Sequence, residues 1–179
     1  PVLTRYGDAI GDRTVAYLSS TGVYGDTGGA WVDENAPADR GRRPGRNAAD
    51  AAWLARGARV LRLPGIYGPG RSPLDRVAAG TAHRTGIAGQ VFSRVHVDDI
   101  ATGVAAAFDA PAGAYNLADD LPAPQDEVVA WAAALIGLPP PPLVSGTVSE
   151  PPRTLEKSGL PAAGALPPPV PFRGHQARE

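Results

Sequence analysis

Two sets of residues suited to chemistry share the stretch AYLSSTGVYGDTGG, residues 16–29. Three glycines have the spacing of a loop that binds dinucleotide phosphates: Gly22, Gly25 and Gly28. Three hydroxyl side chains close the apolar run before them: Ser19, Ser20 and Thr21. The glycines would hold the phosphates of a cofactor, whereas the hydroxyls would face its reactive end.

The sequence after Gly28 argues against a phosphate loop. Such a loop leads straight into a helix, because the helix N-terminus binds the pyrophosphate. The residues that follow, GAWVDENAP, have no helical apolar stripe, and we interpret DEN at 33–35 as a solvated loop. We therefore interpret the glycine spacing as coincidence. Ser20 and Thr21 lie past the end of a predicted strand, which is where open parallel sheets place their sites.

Strand-like and helix-like segments alternate along residues 1–138. Short apolar runs predict three strands, at 14–19, 59–63 and 114–117. Composition and helical spacing predict three helices: one at 48–56, one capped by Asp98, and one with an apolar stripe of Val128, Ala132, Leu135 and Ile136. This alternation predicts an α/β fold with the three strands in one sheet, the first two parallel and adjacent.

The composition changes at Pro139. Prolines recur from there to the end of the chain, and proline donates no backbone hydrogen bond. A segment of this composition buries little apolar area. We therefore predict two regions, an α/β domain portion at 1–138 and a mostly irregular Pro-rich tail at 139–179.

Bulk composition excludes several classes of protein. The formal net charge is −1, so no nucleic-acid partner is predicted. The absence of Cys excludes disulfides and thiolate chemistry. No apolar stretch is long enough to cross a bilayer, so we predict a cytoplasmic protein without a membrane partner. The sequence also contains no Met, from which we expect a fragment of a longer protein.

Three stretches, in their order and spacing, resemble the NAD-dependent epimerase/dehydratase family, which comprises the extended and atypical short-chain dehydrogenases/reductases. They are YLSSTGVYGD, RLPGIYGPG and VFSRVHVDDIA. The resemblance implies part of a Rossmann-like, doubly wound parallel sheet whose N-terminal half, with the phosphate loop, is missing. It also implies NAD or NADP as the cofactor of the full-length protein, and a nucleotide-sugar-like or small carbonyl substrate. We expect the 179-residue chain alone to bind the cofactor weakly or not at all.

The resemblance implies a role for residues in each stretch. Ser20 matches the catalytic Ser or Thr of the family. Four residues match the cofactor site: Ser19, Pro64, Gly65 and Ile66. Three are candidates for substrate binding: Thr21, Arg71 and Arg94. Arg94 lies two positions after the place where family members hold a substrate phosphate with an Arg. No metal site is predicted, because we interpret His96 as a strand residue beside a helix cap.

One family feature is not found. The family's catalytic Tyr and Lys, four positions apart, match Arg42 and Arg46 in the window GRRPGRNAADAAW. A phenol beside a Lys shuttles protons at neutral pH, whereas Arg stays protonated and cannot. The sequence therefore leaves two alternatives: an NAD(P)-dependent oxidoreductase or epimerase/dehydratase of the atypical type, and a catalytically degenerate protein that binds NAD(P) or a partner.

Overall fold

The computed structural model describes residues 2–87, 90–144 and 157–158. Helices and strands follow in this order: α1 (Val2–Ile10), β1 (Ala16–Ser20), a 3-10 turn (Thr21–Tyr24), β2 (Trp31–Val32), α2 (Pro44–Ala55), β3 (Arg59–Leu63), β4 (Gly65–Tyr67), α3 (Pro73–Ala78), β5 (Arg94–His96), α4 (Val97–Ala107), β6 (Gly113–Asn116), α5 (Gln125–Leu135) and β7 (Lys157–Ser158).

A parallel sheet with the strand order β1-β3-β6 forms the centre of the fold. Ser20 at the end of β1 lies opposite Leu63 at the end of β3, so both strand tips reach the same edge. The predicted three-stranded sheet is confirmed, with its first two strands parallel and adjacent. The predicted helix between them is α2, but it begins earlier, at Pro44, because proline suits the first helical turn.

The two faces of the central strand carry different parts of the core. Val60 packs with Trp53 and Ala58, near α1 and α2. Its neighbour Leu61 points to the opposite face and packs with Val95, among residues of α4 and β6. Successive strand residues alternate between faces, so the helices cover both sides of β3. This is the arrangement of a partial Rossmann fold.

Two short parallel pairs extend the structure beyond the central sheet. β4 follows β3 after the single residue Pro64, which donates no backbone hydrogen bond, and pairs with β5. β2 pairs with β7. β4 therefore brings the chain from the tip of β3 directly onto the strand that contains Arg94.

Two helix predictions are wrong in detail. The cap of α4 is His96, whose Nδ1 accepts the backbone N–H of Asp98 at 3.3 Å, because β5 ends one residue before the helix starts. The buried face of α5 is Val129, Ala132 and Ala133, which pack near α3, whereas the predicted Leu135 and Ile136 are 56% and 41% exposed. Alanines on several faces of α5 leave its apolar stripe ambiguous in the sequence.

The first residues of the predicted tail lie against the domain. The backbone N–H of Arg84 donates to the carbonyl of Pro142 at 2.9 Å, and that of Val144 donates to the carbonyl of Arg84 at 3.0 Å. Residues 157 and 158 form β7. The rest of the predicted irregular tail lies outside the described residues, and the boundary at residue 138 stays a prediction. None of the described helices has the length and apolarity that a membrane crossing requires.

Candidate functional site

The tip of β1 turns its two serines to opposite faces, as alternation along a strand requires. Ser20 Oγ accepts the backbone N–H of Gly22 at 3.1 Å and so caps the 3-10 turn. This bond fixes the oxygen, while the hydroxyl proton has no acceptor among the described residues. Thr21 is buried, and its Oγ1 donates to the carbonyl of Leu63 at 3.3 Å. The tips of β1 and β3 are thereby joined.

The loop after β3 lies beside this tip. Gly65 is exposed, and its backbone N–H donates to the carbonyl of Ser93 at 3.2 Å. A Cβ at Gly65 would lie 3.4 Å from that carbonyl oxygen, which is van der Waals contact. Ile66 packs against the core cluster around Leu61. The structure therefore brings Ser20, Thr21 and the Pro64–Gly65 loop to one edge of the sheet.

A buried ion pair lies beneath these tips. Asp50 of α2 and Arg62 of β3 are 1% and 2% exposed. Arg62 Nη2 donates to Asp50 Oδ1 at 2.8 Å, and Nε donates to Oδ2 at 3.2 Å, which is the two-pronged geometry that suits a guanidinium. The hydroxyl of Ser19 donates to Asp50 Oδ2 at 2.6 Å. Ser19 is thus engaged in the interior, and its predicted role in cofactor binding stays a prediction.

The same guanidinium holds Tyr24. Arg62 Nη1 donates to the phenol oxygen at 2.9 Å, and the phenol donates to Asn116 Oδ1 at 2.6 Å. Burial raises the pKa of Tyr24, against the opposing effect of Arg62. Burial lowers the pKa of Arg62, but the bonds to Asp50 and Tyr24 raise it by more. The pKa is therefore raised overall, and the guanidinium stays charged. Tyr24 is therefore a protonated phenol that bridges Arg62 of β3 and Asn116 of β6.

The loop predicted to be solvated closes this network, which corrects the interpretation of residues 33–35. Glu34 Oε1 accepts the backbone N–H of Asn116 at 2.7 Å, on the edge of β6 that β3 does not use. Glu34 is half-buried for this reason. Its Oε2 and the Asn116 Nδ2 are buried without a hydrogen-bond partner. An unpaired strand edge satisfied by a distant carboxylate leaves no local signal in the sequence.

The two candidate arginines for substrate binding differ in their burial and in their hydrogen bonds. Arg94 is half-buried, and its guanidinium donates to the carbonyls of Phe92 and Ala123 at 3.0 and 3.1 Å and to Gln125 Oε1 at 3.3 Å. These bonds hold it against the segment that precedes α5. Arg71 is exposed in the turn after β4, where its backbone N–H donates to the carbonyl of Gly68 at 3.0 Å. Both roles stay predictions.

Sequence analysis missed Asp119, which follows β6. Burial raises the pKa of this carboxyl to about 6, although Arg94 acts in the opposite direction. Asp119 Oδ1 is buried without a hydrogen-bond partner. Burial, and then the charge of Asp119, raises the pKa of Tyr67, whose ring meets the edge of His96 with centroids 5.1 Å apart. A carboxyl with such a pKa can exchange a proton near neutral pH.

Comparison with known proteins shows which sequences and folds this chain is similar to. No protein-family model matches the chain. Protein YeeZ from Escherichia coli K12 is 32% identical over 134 residues, which are 71% of this chain and 47% of YeeZ. A functionally unknown conserved protein from Silicibacter pomeroyi DSS has 42% identity and a TM-score of 0.78, over 89% of this chain and 63% of that one. The chain spans about half the length of the curated relatives it matches.

Two further solved structures share the fold of this chain and have named activities or ligands. A putative NAD-dependent epimerase/dehydratase from Methylobacillus flagellatus is 26% identical with a TM-score of 0.59, over 82% of this chain and 54% of that one. MoeE5 in complex with UDP-glucose and NAD is 23% identical with a TM-score of 0.67, over 81% and 56%. The chain is similar in fold to these proteins of the NAD-dependent epimerase/dehydratase family. Its fold is part of the Rossmann fold of that family.

The window matched to the family's Tyr and Lys borders the strand tip. Gly41 makes a close backbone contact with Gly22, and Asn47 Nδ2 donates to the carbonyl of Gly41 at 3.0 Å. At the two matching positions, Arg42 lies just before α2 and Arg46 in its first turn, both exposed. The match of these two arginines to the family's Tyr and Lys stays a prediction.

The three glycines after β1 do not form the family's phosphate loop. Gly22 lies in the 3-10 turn, and Gly25 and Gly28 adopt positive φ of 75° and 60°. The chain then enters β2 rather than an α-helix. The interpretation of this spacing as coincidence is confirmed. The described residues also contain no group of three or more His, Cys, Asp or Glu side chains that could hold a metal ion.

Proposed function

We propose that this chain supplies the strand-tip site of an NAD(P)-dependent oxidoreductase or epimerase/dehydratase-like protein of the atypical short-chain type. Its substrate would be sugar-nucleotide-like or a small carbonyl compound. One observation carries the proposal: Ser20 lies at the tip of β1 beside the tip of β3, with its oxygen fixed by Gly22 and its proton uncommitted. The NAD and UDP-glucose present with MoeE5 support the cofactor and the substrate class.

The described residues fit one end of such a cofactor. The exposed backbone of Gly65, next to Pro64 and Ile66, gives a flat nicotinamide ring an approach without a side chain in the way. The glycines after β1 lead into no α-helix that would receive the pyrophosphate. We therefore expect weak binding, or none, of NAD(H) or NADP(H) by the 179-residue chain alone. When bound, the cofactor would supply hydride transfer.

The chain's own contribution would be orientation. Because the Ser20 oxygen already accepts the Gly22 N–H, its hydroxyl proton is available for the oxygen of a substrate. A preorganised donor of this kind stabilises the charge that develops on that oxygen. The buried pair of Asp50 and Arg62 would keep the two strand tips in register beneath it. Arg42 and Arg46 cannot serve as the base.

That last point favours a second candidate function, a protein that binds NAD(P) or a partner without turnover. Steady-state rates with NAD and a panel of UDP-sugars, measured on the natural protein that contains this sequence, separate the two. If it is an enzyme, Ser20→Ala should lower kcat by roughly ten- to a thousandfold. Thr102→Ala is the control, because that hydroxyl is exposed and donates only to the Asp98 carbonyl of its own helix. An unchanged kcat in Ser20→Ala would contradict the proposed role.

The double variant Arg42→Tyr/Arg46→Lys tests the second candidate directly. Arg42 lies just before α2 and Arg46 lies in its first turn, so the two substitutions fall at the same end of that helix. If loss of the proton shuttle explains low turnover, this variant should raise the rate, whereas Arg42→Ala should leave it nearly unchanged. Cofactor binding with no turnover in either protein would support the non-catalytic candidate.

A further inference from the structure

A polar hollow lies at the opposite edge of the central sheet from Ser20. It has a volume of about 360 Å³ and lies between residues 11–15, which precede β1, and residues 56–59, which lead into β3. Because β1 and β3 are parallel and adjacent, the chain enters both strands at this edge. The backbone N–H of Arg59 donates to the carbonyl of Val15 at 2.9 Å and ties the two segments together.

The residues that line the hollow include three arginines and one aspartate: Arg13, Arg56, Arg59 and Asp12. Three positive charges less one negative charge leave a formal charge of +2. The ends of α1 and α2 also face this region, and each helix C-terminus carries roughly −0.5 of a charge. About one positive charge therefore remains, so the hollow attracts anions.

Backbone carbonyls hold these guanidinium groups in place without neutralising them. Arg56 Nη2 donates to the carbonyls of Gly7 and Gly11 at 2.6 and 2.9 Å. Arg13 Nη1 donates to the carbonyls of Ala9 and Ile10 at 2.8 and 2.9 Å. Arg59 Nε donates to the carbonyl of Ala110 at 2.8 Å. Within the described residues, none of the three pairs with a carboxylate.

This arrangement is prepared for an oxyanion. Each guanidinium has five N–H donors, and the backbone bonds of Arg13 and Arg56 each use a single terminal nitrogen. Side chains that are already ordered lose little further entropy when a ligand binds. We propose that the hollow binds a phosphoryl group, either as free phosphate or as the phosphate of a small phosphorylated molecule. It is separate from the strand-tip site and does not depend on the proposed function.

Titration of inorganic phosphate into the chain at low ionic strength tests this proposal, with backbone amide chemical shifts as the readout. The shifts should concentrate at 11–15 and 56–59, with a dissociation constant of about 1 mM or lower. Arg13→Gln should weaken binding about tenfold, because it removes a positive charge, whereas Asp12→Asn should strengthen it several-fold, because it removes the opposing negative charge. Arg76→Gln, on the exposed face of α3, is the matched control and should bind as the unaltered chain does.

The same titration with glycerol 3-phosphate distinguishes the two sources of the phosphoryl group. Tighter binding of the ester indicates a phosphorylated small molecule, and equal binding indicates the free ion. No shift at 20 mM phosphate, roughly twentyfold above the expected constant, would overturn the proposal. An equal loss in Arg76→Gln and Arg13→Gln would do so as well, because it would show a diffuse charge effect. If Arg13→Gln does not fold, the direction of the change in Asp12→Asn decides.

Discussion

The buried ion pair between Asp50 and Arg62 offers the sharpest test of how the strand tips are held. Both side chains are almost fully buried, and Asp50 also accepts the hydroxyl of Ser19. Removing one partner leaves an uncompensated buried charge, which costs about 3–5 kcal/mol. We therefore expect Asp50→Ala to lower the free energy of unfolding by that amount, out of a total that is typically about 5–15 kcal/mol.

A double variant separates the charge effect from packing. In Asp50→Leu/Arg62→Met no charge remains buried, and apolar side chains fill the space. The hydroxyls of Ser19 and Tyr24 each lose one partner, but Tyr24 keeps its bond to Asn116. We expect the double variant to lose only about 1–2 kcal/mol, so it should be more stable than Asp50→Ala.

Urea unfolding followed by circular dichroism measures both effects. With a slope of about 1–3 kcal/mol per molar urea, Asp50→Ala should move the midpoint by more than about 1 M. Asp109→Ala is the control, because this carboxylate is exposed, and it should change stability by less than about 0.5 kcal/mol. A loss below about 1 kcal/mol in Asp50→Ala, or a double variant less stable than Asp50→Ala, would refute the argument. An unfolded Asp50→Ala beside a folded double variant would support it.

Three further predictions concern stability. Gly25→Ala should lower the free energy of unfolding by about 2–4 kcal/mol, because its Cβ would collide with the Arg40 carbonyl. Gly28→Ala has a similar positive φ but lies in open space, so it should cost only about 1 kcal/mol. Urea midpoints compare the two variants. The carboxylate of Asp126 accepts the backbone N–H groups of residues 85 and 86, and these bonds lower its pKa despite burial. The carboxylate should therefore stabilise the fold above pH 4, and this contribution should be lost as the pH falls below that value. Asp126→Asn should cost about 1–2 kcal/mol at pH 7 and Glu127→Gln almost nothing. Burial raises the pKa of Asp119 to about 6, above its unfolded value, so its contribution to the stability of the fold should be greatest below pH 4 and decline as the pH rises through 6. Asp119→Asn should remove that decline in urea midpoints measured from pH 4 to 8, and an unchanged pH profile would contradict this prediction.

Local patterns in the sequence were sufficient for the framework of the fold. The apolar runs at 14–19, 59–63 and 114–117 are short and bounded by turn residues, so a buried parallel sheet is the structure that accommodates them. The resemblance placed Ser20 at a strand tip, and the structure shows it there. The absence of an apolar helical stripe after Gly28 was enough to exclude a phosphate loop, because that loop requires an immediate helix.

Boundaries and buried faces were decided by tertiary contacts. Asp98 has the side chain of a good cap, yet β5 ends at His96 and α4 begins at once, so the imidazole caps the helix. In α5, alanines lie on several faces, and only the position of α3 selects Val129 rather than Leu135 for burial. Periodicity specifies a helix, but the neighbouring element determines which side of it is covered.

The polar network under the site was decided by the tertiary structure alone. Tyr24 and Asn116 are 92 positions apart, and Ser19 and Asp50 are 31 apart. In the sequence, Arg62 is a charge within an apolar strand, and a buried charge requires a partner, but the sequence does not identify which carboxylate that partner is. The packing of α2 and of the loop at 33–35 against the sheet brings Asp50 and Glu34 to it. The sequence by itself determined the sheet and the strand tip, whereas only the packing of α2 and of the loop at 33–35 onto that sheet determined what holds the tip in place.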